Sequence, residues 1–338
     1  MSIRSKRKEE HLTLASKFYQ PHQVNSFDQM HLVRPALPEA RLNLAAIRTK
    51  MFGKDLAAPF FINAMTGGSA RSLVINRALG QVARQAQIAL ALGSASILVK
   101  EEKQLASFMV AREENPTGVV IANINAKTSP TAAQKIVTEL AADAIQIHLN
   151  TVQEIAMPEG ERDFHWLANL RELRQVLTVP IIIKEVGFGL DEATMVLLHR
   201  EGFDLVDIAG AGGTNFAQIE NARNPADLSY LADLGLPTVV SAVMASRAQV
   251  DFVVSGGVRN PLDVLKGLCL GGKYVGISNF FLQTLLDHDA AYLLQLIQAW
   301  QQELAGLLAV YGQADLDNLA AIKSYYDLPL KNVLDQLN

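Results

Sequence analysis

A polar segment with the sequence HLNTVQE, at 148–154, carries the side chains best suited to catalysis. An apolar run precedes this segment, so its polar residues lie where a buried strand would reach the surface. Alone, His148 would be more typical of a hydrogen-bonded structural residue than of a catalyst. Together with Asn150, Gln153 and Glu154, it indicates an active site. Glu154 is also a suitable ligand for Mg2+, which binds one or two protein carboxylates together with water and phosphate oxygens.

Three other apolar runs end in segments of glycine and other small residues, AGAGGT at 209–214, SGGVR at 255–259 and VGIS at 275–278. Glycine lets backbone N–H groups approach an anion closely, and a helix that starts at 260–261 would add its N-terminal donors. Simple turns between a strand and a helix are the alternative explanation. Three such segments on one face of a fold favour a phosphate site.

Hydroxyl and amide side chains follow the remaining runs, including Thr66, Ser94 and Asn123. Such groups suit a planar ring that is rich in heteroatoms. Lys184 ends another run, and a lysine buried there requires an anionic or electron-rich partner. One phosphate together with one ring that gains negative charge on reduction describes flavin mononucleotide (FMN). The dinucleotide motif GxGxxG between a strand and a helix does not occur.

The N-terminal sequence RKEEH, at 7–11, brings Arg7, Lys8 and His11 close together, in a basic cluster that reaches back to Arg4. A solvated basic tail is the more common explanation for such a cluster. Binding of a small anion is the alternative.

The elements that would position these residues follow a regular alternation. From about residue 58 onward, short apolar runs alternate with stretches of helical periodicity, which is typical of repeated βα units. Runs that are apolar on both faces favour an α/β fold of the closed (β/α)8 TIM-barrel type. A doubly wound open sheet is the alternative. The predicted strands are 60–64, 89–93, 118–123, 144–149, 180–185, 205–209, 251–255 and 273–278.

A ninth apolar run, at 238–243, complicates the strand count, and we interpret it as the start of the sixth crossover helix. The last 50 or so residues show helical patterns at 291–308 and 316–328. Neither end has the βα rhythm. We predict one FMN-binding domain over 1–338, with an N-terminal extension at 1–57, the barrel core at 58–285 and C-terminal helices at 286–338.

The composition argues against several classes of protein. Apolar residues make up 49% and charged residues 19%, and no apolar run approaches the length of a transmembrane helix. No apolar segment follows the basic N-terminus, so we expect no secretory signal and a soluble, cytoplasmic protein. A net charge of -4 argues against a nucleic-acid partner. The only cysteine, Cys269, lies in apolar surroundings, which predicts a buried residue and not a catalytic thiol.

Taken together, the motifs resemble those of the type 2 isopentenyl diphosphate isomerases, an FMN-dependent TIM-barrel family. The combination is specific, because HxNxxQE followed by PEGERDF is not shared by FMN barrels in general. The motifs extend over the chain from residue 7 to about residue 280. They are RKEEH at 7–11, AMTGG at 64–68, GS at 93–94, HLNTVQE at 148–154, PEGERDF at 158–164, KEVGFG at 184–189, AGAGGTNF at 209–216 and SGGVR at 255–259.

The resemblance implies interconversion of isopentenyl diphosphate and dimethylallyl diphosphate by a 1,3-allylic proton shift. It implies reduced FMN, Mg2+ and NADPH as the reductant, and a homo-oligomer, a tetramer or an octamer. Glu154 would bind Mg2+. The substrate would contact Arg7, Lys8, His11, His148, Asn150 and Gln153. FMN would contact Ala64, Met65, Thr66, Gly67, Ser94, Asn123, Lys184, Thr214, Gly256, Gly257, Arg259, Gly276 and Ser278.

Gln153 and His148 are the catalytic candidates that the resemblance implies, with His148 favoured as a diphosphate contact over a base. A neutral amide is a poor acid, so we favour the flavin N5 as the main proton carrier, with Gln153 assisting. Two other functions stay open. One is an FMN barrel that oxidises a 2-hydroxy acid, although no HGGR-like run occurs. The other is a non-catalytic barrel that binds flavin or phosphate.

Overall fold

The computed structural model describes residues 3–337, with side chains described from Lys6 onward. Met1, Ser2 and Asn338 therefore lie outside the described residues, as does the side chain of Arg4 in the predicted basic cluster. The strands are β1 (Met30–Leu32), β2 (Thr49–Met51), β3 (Lys54–Leu56), β4 (Phe60–Ile62), β5 (Leu90–Ala91), β6 (Val120–Asn125), β7 (Ala144–His148), β8 (Ile181–Lys184), β9 (Leu205–Asp207), β10 (Asp251–Ser255), β11 (Tyr274–Ile277) and β12 (Ser324–Tyr326).

Helices connect the strands and flank both ends of the described chain. The α-helices are α1 (Ile3–Lys17), α2 (Ala70–Ala86), α3 (Ala106–Glu114), α4 (Pro130–Glu139), α5 (Thr151–Ala156), α6 (Leu167–Val176), α7 (Glu192–Arg200), α8 (Phe216–Asn221), α9 (Thr238–Arg247), α10 (Pro261–Cys269), α11 (Asn279–Asp287), α12 (Ala290–Val310) and α13 (Leu328–Gln336). Short 3-10 helices occur at Leu44–Ile47, Ala95–Val99, Glu102–Gln104, Ser229–Asp233 and Leu319–Ala321.

Strands β4 to β11 form a closed barrel of parallel strands, in the order in which they follow along the chain. The barrel closes where Gly276 of β11 pairs with Phe61 of β4. The predicted (β/α)8 TIM barrel is therefore confirmed, and the open sheet is excluded because its edge strands would not pair. All eight predicted strands occur. The seventh has the predicted bounds, the third runs from Val120 to Asn125, and the other six are shorter than predicted.

The ninth apolar run forms helix α9, which begins at Thr238 directly after Pro237 and confirms the interpretation of 238–243. Proline fixes the extended backbone that precedes a helix but supplies no side-chain cap. Helix α10 begins with a stronger signal, because the Asn260 side chain accepts the N–H of Asp263 and Pro261 occupies the first turn.

The helix predicted at 291–308 is confirmed by α12, but the one predicted at 316–328 is wrong. The chain there turns at Asn318, whose φ of 62° is left-handed, and then enters strand β12. Tyr325 and Tyr326 favour a strand, and β12 pairs antiparallel with β1 near the other end of the chain. This long-range pairing outweighs the local helical pattern.

Inside the barrel, the side chains change from apolar to polar along six of the eight strands, all except β5 and β11. Alternate residues of a strand face the lumen. Towards the N-terminal ends of the strands, buried residues such as Phe61, Ile121 and Ile182 form one apolar cluster. Two residues further along, the lumen side chains are polar and buried. This polar layer consists of Asn63, Asn123, Gln146, Lys184, Asp207 and Ser255.

The antiparallel hairpin of β2 and β3 closes the N-terminal end of the barrel. Its turn residues, Phe52 and Gly53, have φ values of 50° and 80°, as a type I′ hairpin requires. Met51 and Leu56 pack into the apolar lumen cluster. The opposite end, where the polar layer lies, is therefore the only open end of the described barrel.

The described residues bear on two expectations from composition. Cys269 is buried, and burial raises the pKa of its thiol to about 12, so it is not a reactive thiolate. Among residues 3–337, no helix combines the length and the apolar character that a membrane crossing requires.

Candidate active site

A cavity of about 380 Å3 opens at the C-terminal ends of the barrel strands, a size typical of small-molecule sites. It brings together nearly all the residues singled out in the sequence. Gly67 does not line it, because Gly67 faces the ring of Phe108, where a Cβ would lie 1.9 Å from a ring carbon. The predicted residues that line the cavity are Arg7, Lys8, His11, Ala64, Met65, Thr66, Ser94, Asn123, His148, Asn150, Gln153, Glu154, Lys184, Thr214, Gly256, Gly257, Arg259, Gly276 and Ser278.

Three of these residues share one face of the short helix α5. Asn150 precedes the helix, and its Nδ2 donates to Glu154 Oε1 at 3.0 Å and to Gln153 Oε1 at 3.3 Å. The spacing i, i+3, i+4 brings these side chains onto one helix face. The other carboxylate oxygen of Glu154 accepts the backbone N–H of Glu161 at 2.7 Å. The Glu154 carboxylate is therefore held at the cavity wall by one donor on each oxygen.

The PEGERDF loop is the support for Glu154. Gly160 packs so closely against α5 that a Cβ would lie 1.9 Å from Glu154 O. Arg162 donates to Glu154 O at 2.5 Å and to Met157 O at 3.0 Å, which satisfies carbonyls at the C-terminal end of α5. The loop thus holds α5 and brings the Glu161 N–H to the Glu154 carboxylate. This explains physically why the two motifs occur together.

Glu220 of α8 lies beside Gln153, although no sequence pattern indicated it. It is fully buried, accepts Gln153 Nε2 at 2.9 Å, lies 2.8 Å from His11 Nε2 and also contacts Arg223. Burial favours the protonated carboxyl, but the contacts with His11, Gln153 and Arg223 outweigh it and lower the pKa of Glu220 to about 2. An ionised Glu220 therefore fixes the amide of Gln153, with Nε2 towards the carboxylate.

His148 ends strand β7 and lines the cavity. Its Nδ1 lies 2.8 Å from Asn123 Oδ1. Burial and the positive charges of Lys184 and Lys8 lower the pKa of His148 to about 3, so the ring is neutral. A neutral ring cannot act as a charged acid, and the expectation that His148 is a diphosphate contact more than a base stays a prediction.

Helix α1 lies over the cavity and brings the cationic N-terminal residues to it. Arg7 Nη1 lies 3.0 Å from Met157 Sδ and 3.5 Å from Glu159 Oε1, and Lys8 Nζ lies 3.4 Å from Ser94 O. Glu10 of the same helix pairs with Arg223 at 2.8 Å. Arg7 and Lys8 therefore line the cavity and are not part of a solvated tail.

The glycine loops after β9 and β10 interlock beside the cavity. Gly256 has a φ of 103°, and a Cβ there would lie 2.1 Å from Gly210 O. The side chain of Asn25, from the N-terminal extension, donates to Gly257 O at 2.9 Å. These loops present backbone to the cavity, which a phosphate site requires. The guanidinium of Arg259, which also lines the cavity, is paired with Asp28 at 2.7 Å.

Lys184 reaches the polar layer from β8, with Nζ donating to Glu185 O at 2.5 Å and lying 3.7 Å from Asp207 Oδ2. Glu185 itself turns away and accepts backbone N–H groups of the next three residues. Burial raises the pKa of Glu185 to about 7, although the three N–H donors and the nearby Lys184 act to lower it. The ammonium of Lys184 is thus the cation nearest the lumen side of the cavity.

Sequence reasoning missed five residues of this region. Asn63, Gln146 and Asp207 had a usable signal, since each follows an apolar lumen residue by two positions. Glu220 and Arg223 had none, because their partners Gln153 and Glu10 lie 67 and 213 residues away.

Comparison with known proteins identifies the family of the chain. Residues 106–324 match the family model described as FMN-dependent dehydrogenase. An isopentenyl-diphosphate delta-isomerase of Latilactobacillus sakei is 39% identical over 338 residues, covering 99% of this chain and 97% of the relative. An enzyme of the same name from Moorella thermoacetica is 42% identical over 314 residues, covering 91% and 90%.

Among solved structures, a mandelate oxidase carrying a monooxide FMN adduct matches with a TM-score of 0.62, covering 94% of this chain and 92% of that one. Its sequence identity is only 14%, so this likeness concerns the fold alone. The much higher identity to the isomerases extends over nearly the whole of both chains. The protein therefore belongs to the isopentenyl-diphosphate delta-isomerase family and is an isomerase built on the barrel of the FMN-dependent dehydrogenases.

Proposed function

We propose that the protein interconverts isopentenyl diphosphate and dimethylallyl diphosphate by a 1,3-allylic proton shift, with reduced FMN and Mg2+. The observation that carries the proposal is the contact of Asn150 with both Gln153 and Glu154 in the cavity. Because of it, a neutral amide suited to the hydrocarbon part of a substrate lies beside a carboxylate suited to a metal ion.

The residues around the cavity fit FMN. The backbone around Gly256 and Gly257, next to the N-terminus of α10, suits its phosphate, and the Lys184 ammonium suits a ring that carries negative charge. The predicted FMN contacts that line the cavity are retained in this proposal. They include Arg259, whose guanidinium also pairs with Asp28. Bound reduced FMN supplies an electron-rich ring face and a site that exchanges a proton. NADPH is the proposed reductant.

Glu154 is the proposed Mg2+ ligand. Each of its carboxylate oxygens accepts one N–H, from Asn150 and from Glu161, and keeps a lone pair for a metal ion. Mg2+ characteristically takes one or two protein carboxylates and completes its shell with water and phosphate oxygens. The substrate diphosphate would supply those phosphate oxygens.

The cationic residues of α1 are the proposed clamp on the diphosphate. Arg7 would exchange the Glu159 carboxylate for a phosphate oxygen, which replaces one charge-assisted contact by another. Lys8, His11, His148 and Asn150 would contact the same group. The allyl part of the substrate would then point from the metal towards Gln153.

Gln153 is proposed to contact the allyl group and to take part in the proton transfer. Its Nε2 is engaged by Glu220 and its Oε1 by Asn150, so the amide is held from both sides. At neutral pH Glu220 stays ionised and holds no proton to donate, because its pKa is about 2. We therefore propose that Gln153 assists the proton transfer by holding the reacting group in one orientation.

We also propose that 1–338 functions as one FMN-binding domain with the boundaries predicted above, in the cytoplasm, as a homo-tetramer or homo-octamer. The pairing of β1 with β12 supports a single unit, because it joins the two extensions to each other.

Purified protein should be yellow and should bleach on reduction with NADPH or dithionite. Reduced enzyme supplied with Mg2+ should convert isopentenyl diphosphate to dimethylallyl diphosphate, followed by proton NMR. No conversion by a bleached, Mg2+-loaded enzyme would refute the proposal. Consumption of oxygen with a 2-hydroxy acid in place of isomerisation would instead indicate an oxidase.

A further inference from the structure

A line of buried amide side chains crosses the polar layer of the barrel and ends at His148. Asn123 Oδ1 lies 2.8 Å from His148 Nδ1, and Asn123 Nδ2 donates to Gln146 Oε1 at 3.1 Å. Gln146 Nε2 then donates to Asn63 Oδ1 at 2.8 Å. Asn63 Nδ2 donates to Asp207 Oδ2 at 2.7 Å. We refer to Asn63, Gln146 and Asn123 as the amide chain.

The amide chain has one direction, and a backbone group fixes it. The backbone N–H of Ala64 donates to Asn63 Oδ1 at 2.8 Å, which identifies that atom as the oxygen. At the far end, Asp207 accepts from Ser255 Oγ at 2.6 Å and from the backbone N–H of Ala209 at 3.2 Å. Each amide therefore points its NH2 towards Asp207 and its oxygen towards His148.

The barrel holds the amide chain rigidly. Asn123 and Gln146 are register partners on neighbouring strands β6 and β7. Asn63 lies against Gly276 of β11, where a Cβ would lie 2.5 Å from Asn63 Nδ2. Gly276 thus leaves the space that Asn63 needs. The strand register and the hydrogen bonds at both ends of each amide together hold these side chains in one orientation.

We propose that the amide chain consists of positioning residues that hold His148 as the Nδ1–H tautomer. The oxygen of Asn123 faces Nδ1, so Nδ1 must donate. The other ring nitrogen, Nε2, then offers a lone pair and not a proton. Asn123 keeps one N–H and one oxygen lone pair for the flavin, so this role is compatible with its proposed contact to FMN.

The tautomer has a consequence for substrate binding. This consequence rests on the proposed function, because it assumes that a diphosphate binds next to His148. A lone pair on Nε2 and an anionic phosphate oxygen repel unless a proton lies between them. The diphosphate therefore binds together with one proton from solvent, shared between Nε2 and a phosphate oxygen. No covalent bond to carbon or phosphorus forms or breaks in this step.

The charged side chains that act on His148 make this proton uptake dependent on the anion. Lys184 of β8 and Lys8 of α1, together with burial, keep the pKa of His148 at about 3 while no anion is present. A diphosphate offsets both positive charges and adds its own negative charge next to the ring. The bound diphosphate therefore favours the protonated form of His148.

Nitrogen-15 NMR of FMN-loaded enzyme labelled in histidine tests the tautomer directly. Near neutral pH, the His148 signals should show a protonated Nδ1 and an unprotonated Nε2, with the assignment made from the signals lost in His148→Asn. A protonated Nε2 in the wild type would overturn the proposal. This measurement needs no substrate, no turnover and no variant of the amide chain.

Calorimetric titration of the holoenzyme with inorganic diphosphate and Mg2+, in buffers of different ionisation enthalpy, counts the protons taken up. Near neutral pH, wild type should take up about one proton more than His148→Asn. In Gln146→Leu the amide chain is cut, His148 is free to adopt the Nε2–H tautomer and donate, and most of that extra proton should be lost.

Gln283→Leu is the matched control, because Gln283 is also buried and donates to a side chain, Asn279 Oδ1 at 2.8 Å, but lies outside the amide chain. It should keep the wild-type proton count. An unchanged count in Gln146→Leu would contradict the proposal. If Gln146→Leu does not fold, the NMR tautomer of the wild type decides alone. Absence of isomerase activity would refute the proposed function but would leave both measurements readable.

Discussion

Gln153 and Glu220 are joined by a hydrogen bond of 2.9 Å between Gln153 Nε2 and Glu220 Oε1. A carboxylate only accepts hydrogen bonds, so Glu220 determines that the NH2 end of the Gln153 amide faces it. The substitution Glu220→Gln should lower kcat about 10- to 100-fold, as expected when a hydrogen bond to a charged group worth about 1.5–3 kcal/mol is weakened. FMN binding should be retained. The proton NMR assay measures kcat, and flavin absorbance measures FMN binding.

Glu10→Gln is the comparison for that variant, since Glu10 also pairs with Arg223 but is only partly buried and does not contact Gln153. It should change kcat by less than about twofold, because the substitution leaves the contact between Gln153 and Glu220 in place. Equal losses in both variants would mean that Arg223, and not the orientation of Gln153, is the important group.

Glu154→Gln should reduce isomerase activity by at least about 100-fold, because an amide oxygen is a weaker Mg2+ ligand than a carboxylate. The yellow colour should remain, since Glu154 contacts Asn150 and the Glu161 backbone and not the glycine loops. Glu172→Gln, an exposed change on α6, is the control and should be silent. Loss of flavin with Glu154→Gln would contradict the metal assignment.

Gly160→Ala should raise the Mg2+ concentration needed for half-maximal activity and destabilise the protein by about 1–3 kcal/mol, because overpacking forces the loop away from α5. The added Cβ would meet Glu154 O at 1.9 Å and remove the Glu161 N–H from the Glu154 carboxylate. Urea unfolding and a Mg2+ titration measure the two effects.

Gly306→Ala is the matched control for Gly160→Ala. Gly306 lies within α12, where the nearest atom to an added Cβ is 3.6 Å away. The same substitution there should leave the Mg2+ response unchanged and stabilise the helix by about 0.5–1 kcal/mol. Similar Mg2+ responses in the two variants would show that the PEGERDF loop does not support the metal site.

The low pKa of His148 predicts that acid destabilises the flavin-free protein. Between about pH 3 and pH 6.5 the unfolded chain binds a proton at His148 that the folded protein does not, so this contribution is complete above pH 6.5 and is lost as pH falls. Glu185, whose pKa is raised to about 7, has the opposite dependence, because its contribution is lost as pH rises. A single stability curve therefore does not isolate either group.

The difference between wild type and His148→Asn isolates the histidine. From about pH 6 to pH 5, the wild type should lose about 1.2 kcal/mol relative to the variant, because the unfolded chain binds about 0.9 of a proton more over this interval. Urea unfolding at both pH values measures this difference. Parallel curves for the two proteins would contradict the assigned neutral state of His148.

The barrel could be predicted from the sequence because each of its strands is a short apolar run next to a helical pattern. The site at 148–154 was also visible, since polar residues interrupt such a run at its end. The strand at Ser324–Tyr326 was not predictable from local pattern, because its partner β1 lies near the other end of the chain.

Glu220 shows a second limit of sequence reasoning. Nothing within α8 distinguishes it from a surface glutamate, and its burial becomes apparent only when α1, α5 and α8 meet. The amide chain was within reach, because residues two positions beyond an apolar lumen residue face the same way. The hydrogen-bond partners within the amide chain, however, follow only from the register of neighbouring strands.

The antiparallel pairing of Met30–Leu32 with Ser324–Tyr326 has a consequence for synthesis on the ribosome. Strand β1 leaves the ribosome early, but its only hydrogen-bonded strand among the described residues is made almost 300 residues later. Until then the edge of β1 is exposed, and such an edge is prone to pair with another nascent chain. Synthesis of Ser324–Tyr326 is thus the point at which this edge of β1 can be covered.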